Sequence, residues 1–294
     1  MRYLLISALL LLSSGAFAQV SCSRVAAFTC DKSYMTFGSG MGNVKRLILE
    51  GKIQNTFIIT PGTRKYWAVT FTPAVILRMR DERSNPVRTP SYLGTFCMMY
   101  RLTTNVKFVH YANLKYEHHS NGQSGHFFMG GTKYNLDSGN FSTHFFELGY
   151  HAAFILSKSN RLFNSFYLGF RYNPDIAGEP YLREAYDDAR IKLSYFIFGN
   201  EPEPDEKLRL LRHFYLKTEL SLLVEDYSTQ RLKQGKGSTS SVIIGFPISK
   251  KTDFSLFAQA YYGEDYYNVY FMKSPVWFVR AGIMSNPYRL RVFE

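Results

Sequence analysis

One heptapeptide carries residue types that could do chemistry together: Tyr116-Glu117-His118-His119-Ser120-Asn121-Gly122. On a β-strand, residues two apart project to the same side, with Cβ atoms roughly 6–7 Å apart. His118 and Ser120 would then stand side by side. An imidazole at that distance can reach a hydroxyl and take its proton, which makes the serine a nucleophile for acyl transfer. Such a base also needs an acceptor on its other ring nitrogen to hold the right tautomer. A His and a Ser at a strand end are also common as plain interfacial polar residues, so spacing alone leaves both readings open. His119 has the opposite parity. His110 shares the parity of His118 but has no Ser beside it, and reads as non-catalytic.

The segment that must hold the pair runs from Asn105 to Ser120. Its even positions are Val106, Phe108, His110, Ala112, Leu114, Tyr116, His118 and Ser120; its odd positions include Asn105, Lys107, Asn113, Lys115, Glu117 and His119. That alternation fits a strand with one face in lipid and the other toward a wet lumen. An ionisable residue at the end of a lipid-facing stripe is costly and is a functional candidate for that reason.

The same parity test works elsewhere. Trp67, Val69, Phe71, Pro73, Val75, Leu77 and Met79 share one face, on which Pro73 is awkward because it removes a ladder donor. Tyr92, Phe96, Met98, Tyr100 and Leu102 share another. Further candidate strands run Phe141–Leu156, Phe163–Tyr172, Ala189–Phe198, His213–Val224, Val242–Ile248, Phe254–Tyr262 and Val276–Met284. Ile53–Thr60, the region of Tyr34 and Tyr266–Phe271 add others, and Leu208–Leu216 suits a strand or a helix. The expectation is an all-β chain, a transmembrane antiparallel β-barrel; the candidate runs number roughly ten to twelve, and single-chain barrels favour even numbers.

Composition agrees. Aromatics make up 17% of the chain, with 22 Tyr and 25 Phe, as two interfacial girdles require. The formal charge is +12, but the Lys and Arg are scattered through turns and alternating positions rather than gathered on one face. A lumen and loops beside anionic headgroups explain that better than a nucleic-acid reader does.

At the N-terminus, Arg2 precedes an apolar run from Leu4 to Leu12, and Ala16-Phe17-Ala18 reads as a cleavage site. Residues 1–18 are expected to be a signal peptide, 19–51 an N-terminal extension or first strand, and 52–294 the barrel. Cys22 and Cys30 could pair in an oxidising periplasm, whereas Cys97 falls inside a strand-like run.

The heptapeptide resembles the active-site motif of the outer-membrane phospholipase A family over its whole length. A second block, Ser84-Asn85-Pro86-Val87-Arg88-Thr89-Pro90-Ser91-Tyr92, is similar to another family segment at Ser84, Pro86, Arg88 and Tyr92. A weaker echo is Ala258-Gln259-Ala260-Tyr261-Tyr262-Gly263-Glu264. The resemblance implies a calcium-dependent phospholipase at the cell outer membrane, acting on sn-1 and sn-2 acyl esters and active as a homodimer. It implies that His118 is the base and Ser120 the nucleophile, on the outer wall of a barrel of about 12 strands. It also implies calcium at Ser84 and at the carbonyl of Gln123, with Ser124 a further candidate by proximity.

The family's Trp-Asn-Arg, whose Asn orients the His, is missing here, and the loop from Gln123 to Gly139 is longer. Parity then selects the third catalytic residue. Asn140, Ser142, His144, Phe146, Leu148 and Tyr150 share a side that reads as lipid-facing, while Glu147 and His151 point inward. Asn140 begins that strand with the facing needed to meet His118, and Asn135 has the other parity. Two alternatives stand beside this reading: a lipid A deacylase, which would use an acid such as Glu147, and a non-catalytic outer-membrane barrel.

Overall fold

A computed structural model describes residues 22–37, 47–60, 66–88, 90–103, 108–130, 133–155, 162–174, 189–199, 214–224, 238–248, 254–263 and 276–285. They form one short helix, α1 (Cys22–Thr29), and fifteen strands. These are β1 (Tyr34–Phe37), β2 (Leu47–Gln54), β3 (Phe57–Ile59), β4 (Trp67–Arg80), β5 (Ser91–Arg101) and β6 (Phe108–Ser120). Next come β7 (Phe128–Met129), β8 (Lys133–Tyr134), β9 (Ser142–Ile155), β10 (Leu162–Tyr172) and β11 (Ala189–Gly199). The last are β12 (Tyr215–Leu223), β13 (Thr239–Pro247), β14 (Phe254–Gly263) and β15 (Val276–Ser285).

Neighbouring strands pair antiparallel all the way round. β1 closes the ring on β15 with Tyr34 opposite Met284. β2 and β3 both pair with β4 and make one interrupted stave. β7 and β8 pair with each other as a small hairpin, while β6 pairs directly with β9. The result is a closed antiparallel barrel of 12 staves. Closure removes every sheet edge, which is what a bilayer demands of a strand-built span. No helix among the described residues is long and apolar enough to cross a membrane.

The parity reading holds in detail. Along β6 the odd residues Val109, Tyr111, Asn113, Glu117 and His119 are buried, and the even ones face out. Outward side chains such as Leu114, Leu148, Val279 and Trp277 are exposed, the arrangement that suits lipid. Pro73 fits β4 because of the interruption in the neighbouring stave. Its carbonyl accepts from Asn55 N at 3.3 Å, in the gap between β2 and β3. A strand residue's N and O point the same way, so the missing donor faces that gap.

The cationic residues of the staves largely line the lumen. Glu50 is bracketed by Arg78 and Arg280, and Glu147 by Lys115 and Arg171. The lumen is also occupied. Cys22, Val25 and Ala26 of α1 are buried against inward residues including Met99, Tyr111, Phe198 and Tyr215. Lys32 Nζ donates to the Ala27 carbonyl at 2.9 Å, satisfying an orphan acceptor near the end of α1. Asp31 then bridges Lys52 and Lys217, each at 2.8 Å. Residues 19–51 therefore include a helical plug, β1 and the start of β2.

Two expectations change. Cys22 and Cys30 are free thiols rather than a disulfide. Cys22 begins α1 and Cys30 follows its end, and eight residues of α-helix rise about 12 Å, beyond disulfide reach. Ile53–Thr60 is the end of β2 plus β3, since the stave begins earlier, at Leu47. The expected signal peptide, the possible strand Tyr266–Phe271 and Glu264 lie outside the described residues.

Candidate active site

β6 delivers His118 and Ser120 to its outer face at one rim of the barrel. Both are partly exposed, while His119 between them is 1% exposed and points inward. On one flank, Ser120 faces Tyr92 and His118 faces Gly94 of β5. On the other, Ser120 faces Ser142 and His118 faces His144 of β9. A hydrogen bond from Asn121 N to the Phe141 carbonyl continues this ladder. Hydrogen-bonded and non-hydrogen-bonded pairs alternate along an antiparallel ladder. His118–His144 and Ser120–Ser142 are therefore non-hydrogen-bonded pairs, whose side chains approach most closely. The two imidazole centroids lie 4.8 Å apart. The hydroxyl of Tyr116 lies 2.7 Å from His144 Nδ1.

The space on the Gly94 side is open. A Cβ added at Gly94 would meet no atom within 4 Å. Tyr92, Phe96, Met98 and Leu114 stand exposed around that notch. His118 thus has a ring on one flank and an apolar gap on the other.

The turn after Ser120 is fixed locally. Gly122 takes a φ of +60°, the left-handed region that glycine occupies without strain. The Tyr92 ring lies against it, 2.9 Å from where a Cβ would be. Asn121 is fully buried and ties both ends of the following loop. Its Nδ2 donates to the Gly139 carbonyl at 2.6 Å, and its Oδ1 accepts from Phe141 N at 3.1 Å. Asn135 is the hub of the same loop, accepting from Ser138 N and donating to the His126 carbonyl.

Asn140 is exposed and precedes β9, and its N–H donates to the Gly125 carbonyl. It lies four residues before His144, about 13 Å along the strand. The register thus puts His144, rather than Asn140, opposite His118. Glu147, the acid that a deacylase reading would enlist, is 1% exposed in the lumen and bound by Lys115, Arg171 and the Tyr167 hydroxyl. His110 is covered on the outer face by Tyr150, which hydrogen-bonds its Nδ1.

Ser84, Gln123 and Ser124 belong to two neighbouring loops at this rim. Ser84 and Asn85 sit in left-handed turn conformations, with φ of 68° and 43°. Two of the carboxylates there, Glu82 and Asp137, are paired with Arg80 and Arg88, and Asp81 stands exposed beside them. Arg80 also donates to the Leu136 carbonyl at 2.7 Å, which ties the two loops together. The three candidate ligands offer hard oxygens of the kind calcium accepts, all of them neutral. Among the described residues no group of three His, Cys, Asp or Glu gathers as a metal site.

No family model and no curated protein matches the sequence. Solved structures do match the fold. An active-site mutant of outer membrane phospholipase A from Escherichia coli superposes with a TM-score of 0.55 at 12% identity, covering 93% of this chain and 94% of that one. A second structure of the Escherichia coli protein gives 0.52 at 13% identity over 87% and 90% of the two chains. The Salmonella typhi outer membrane phospholipase, a dimer with bound calcium, gives 0.53 at 12% identity over 87% and 91%. The chain is a 12-stave antiparallel β-barrel with the fold of outer membrane phospholipase A.

Proposed function

We propose that this barrel hydrolyses fatty acyl esters of glycerophospholipids on its outer wall, at the cell outer membrane. The observation that carries the reading is the outward His118–Ser120 pair at the end of a lipid-facing stripe, beside the open notch at Gly94. A phospholipid could place its ester over Ser120 and its acyl chain along Phe96, Met98 and Leu114 without leaving the membrane.

His118 would take the Ser120 proton while the hydroxyl oxygen attacks the ester carbonyl. Collapse of the tetrahedral species would break the ester C–O bond. The leaving lysophospholipid alcohol would recover the proton from His118. Water, activated by His118 in the same way, would then release the fatty acid and restore Ser120. The Asn121 N–H is engaged by the Phe141 carbonyl, so the backbone N–H of Gly122, in the turn after the nucleophile, is the proposed donor to the oxyanion.

Calcium and a homodimer belong to the same reading. Ser84, Gln123 and Ser124 would hold the ion, whose charge would help to stabilise the oxyanion. Its binding surface would be shared across a two-fold contact between barrels.

The test is fatty-acid release from phospholipid by the refolded protein in detergent, with calcium or chelator, beside Ser120→Ala. Calcium-stimulated release that disappears in the variant is the expected result. Release lost in the variant but indifferent to chelator would remove calcium alone. No release from folded wild type, with lipid A also offered, would move the assignment to a non-catalytic barrel.

A further inference from the structure

The outer wall carries two His/Ser pairs arranged as mirror images. His118-x-Ser120 runs up β6, and Ser142-x-His144 runs down β9, with each His opposite the other His and each Ser opposite the other Ser. A nucleophile and base could in principle come from either strand. What breaks the symmetry is Tyr116. Its hydroxyl sits 2.7 Å from His144 Nδ1 and its ring stacks on His144, with centroids 5.9 Å apart. No such hydrogen bond holds His118 among the described residues. His144 is the anchored imidazole, and His118 is the one free to exchange a proton.

We propose that His144 is the positioning residue of His118, so that the outer wall carries a Ser120–His118–His144–Tyr116 relay. The assignment rests on the phospholipase reading above and supplies the orienting acceptor that the reading lacks. It fixes tautomers. His144 carries its proton on Nδ1 and donates it to the Tyr116 oxygen, which leaves Nε2 with a lone pair. His118 donates its one N–H to that lone pair and presents its other nitrogen, unprotonated, to Ser120. When His118 takes the serine proton during acylation it becomes an imidazolium. The neutral His144 acceptor then stabilises the new charge, as a carboxamide or carboxylate does in other triads. No proton leaves His144 in either half of the reaction.

The surroundings match that role. Tyr116 and His118 of β6 are the titratable groups that face His144 across the ladder. On its other flank β10 ends at Tyr172, which pairs with Phe146 and is one diagonal step away. No carboxylate shares this patch of the outer face among the described residues: Glu117 and Glu147 both point into the lumen.

The experiment compares wild type with His144→Phe, His144→Asn, Tyr116→Phe, Ser120→Ala and Ser142→Ala. It uses the full-length barrel in detergent micelles, with folding checked by circular dichroism. His144→Phe is expected to lower kcat about ten- to hundred-fold with KM little changed, the size of effect typical of impaired general-base catalysis. His144→Asn restores most of it, because a carboxamide oxygen can accept the His118 N–H. Tyr116→Phe falls between them. In wild type, protonation of either imidazole stops the reaction, so the acid limb of kcat/KM steepens toward two protons. In His144→Asn it relaxes to one, a change that loss of packing alone would not produce.

A His144→Phe variant as active as wild type, with Ser120→Ala inactive, would overturn the positioning role and leave the phospholipase reading intact. Activity that survives Ser120→Ala but dies in Ser142→Ala would overturn the assignment by reversing the relay. A folded wild type that neither hydrolyses phospholipid nor takes up a fluorophosphonate label would bring down both readings together.

Discussion

Gly94 of β5 is the register partner of His118 of β6, so the base has no side chain beside it on that flank. The added-Cβ test finds open space there, and the neighbours on the same face are the exposed rings of Tyr92 and Phe96. Gly94→Phe is therefore expected to fold with stability changed by about 0.5 kcal/mol or less, because the half-buried site opens on free space and has no special backbone conformation. It should obstruct the notch. Hydrolysis of long-chain phospholipid should drop several-fold more than hydrolysis of a short-chain soluble ester. Kinetics on both substrates decide the matter: an equal loss on the two would mean that the acyl chain lies elsewhere.

Gly122 makes a contrasting case. Its φ of +60° and the Tyr92 ring 2.9 Å from a would-be Cβ leave no room for a side chain. Gly122→Ala should cost about 1–3 kcal/mol of local strain. The turn that follows Ser120 would shift, and with it the Gly122 backbone N–H proposed as the oxyanion donor. Activity should fall at least about tenfold, since one such donor is worth about 100-fold or more. Gly94→Ala, at an unstrained position, serves as the thermal-melting control.

Much of the architecture was legible because strand parity is a strict code. A residue buried on β6 or β9 has an outward neighbour on each side, and the alternating apolar pattern displays this directly. Parity also separated His118 from His119 and sent Glu147 into the lumen, as the structure does. Register is a different quantity. The pairing of His118 with His144 depends on how far the 121–141 loop reaches before the ladder begins. That reach is set by Asn121, Asn135 and the Gly125–Gly139 bridge, contacts with no period to read. Asn140 and His144 have the same parity, and parity cannot say which of them lies opposite His118; the length of the loop decides that register, at His144. The plug was hidden for a related reason: α1 is eight residues long, too short for a helical period to stand out.

The register carries its own expectation for Asn140. Asn140→Ala should lower kcat clearly less than His144→Phe does, and should leave the acid limb of the pH profile at its wild-type steepness. Steady-state rates from about pH 5 to pH 9 would test this. A larger loss in Asn140→Ala, rescued by calcium or not, would return the orienting role to that residue.

Calcium should act weakly if it binds at Ser84, Gln123 and Ser124. All three offer neutral oxygens, and the adjoining carboxylates of Glu82 and Asp137 are engaged by Arg80 and Arg88. Sites with so little ligand charge fall toward dissociation constants of about 0.1–1 mM. Half-maximal stimulation is expected in that range, and Ser84→Ala should raise it several-fold without changing activity at saturating calcium. Micromolar stimulation unaffected by Ser84→Ala would place the ion elsewhere.

The plug should respond to pH through two adjacent residues outside the staves. Lys217 and Lys52 hold the Asp31 carboxyl well below the usual carboxylate range. A lowered carboxylate pKa means that the folded state binds fewer protons, so docking is favoured above about pH 4 and weakens as the pH falls through the folded value. Lys32 works at the other end. Burial pushes its pKa down to about 8, so its charge opposes docking below that pH, and the opposition fades as the pH rises from about 8 toward 10.5. Hydrogen exchange of the α1 amides, corrected for intrinsic rate, should slow from pH 3 to pH 6. It should slow again above pH 8. Asp31→Asn should flatten the first change and spare the second. Cys22 provides an independent reading of the same state, because burial raises its thiol to about 12 while the plug is in place. A thiol reagent that reacts in acid, such as a dipyridyl disulfide, should leave Cys22 unlabelled at pH 7 and reach it at about pH 2.5 if the plug leaves the lumen. Equal labelling at both pH values would show that Asp31 does not hold the helix.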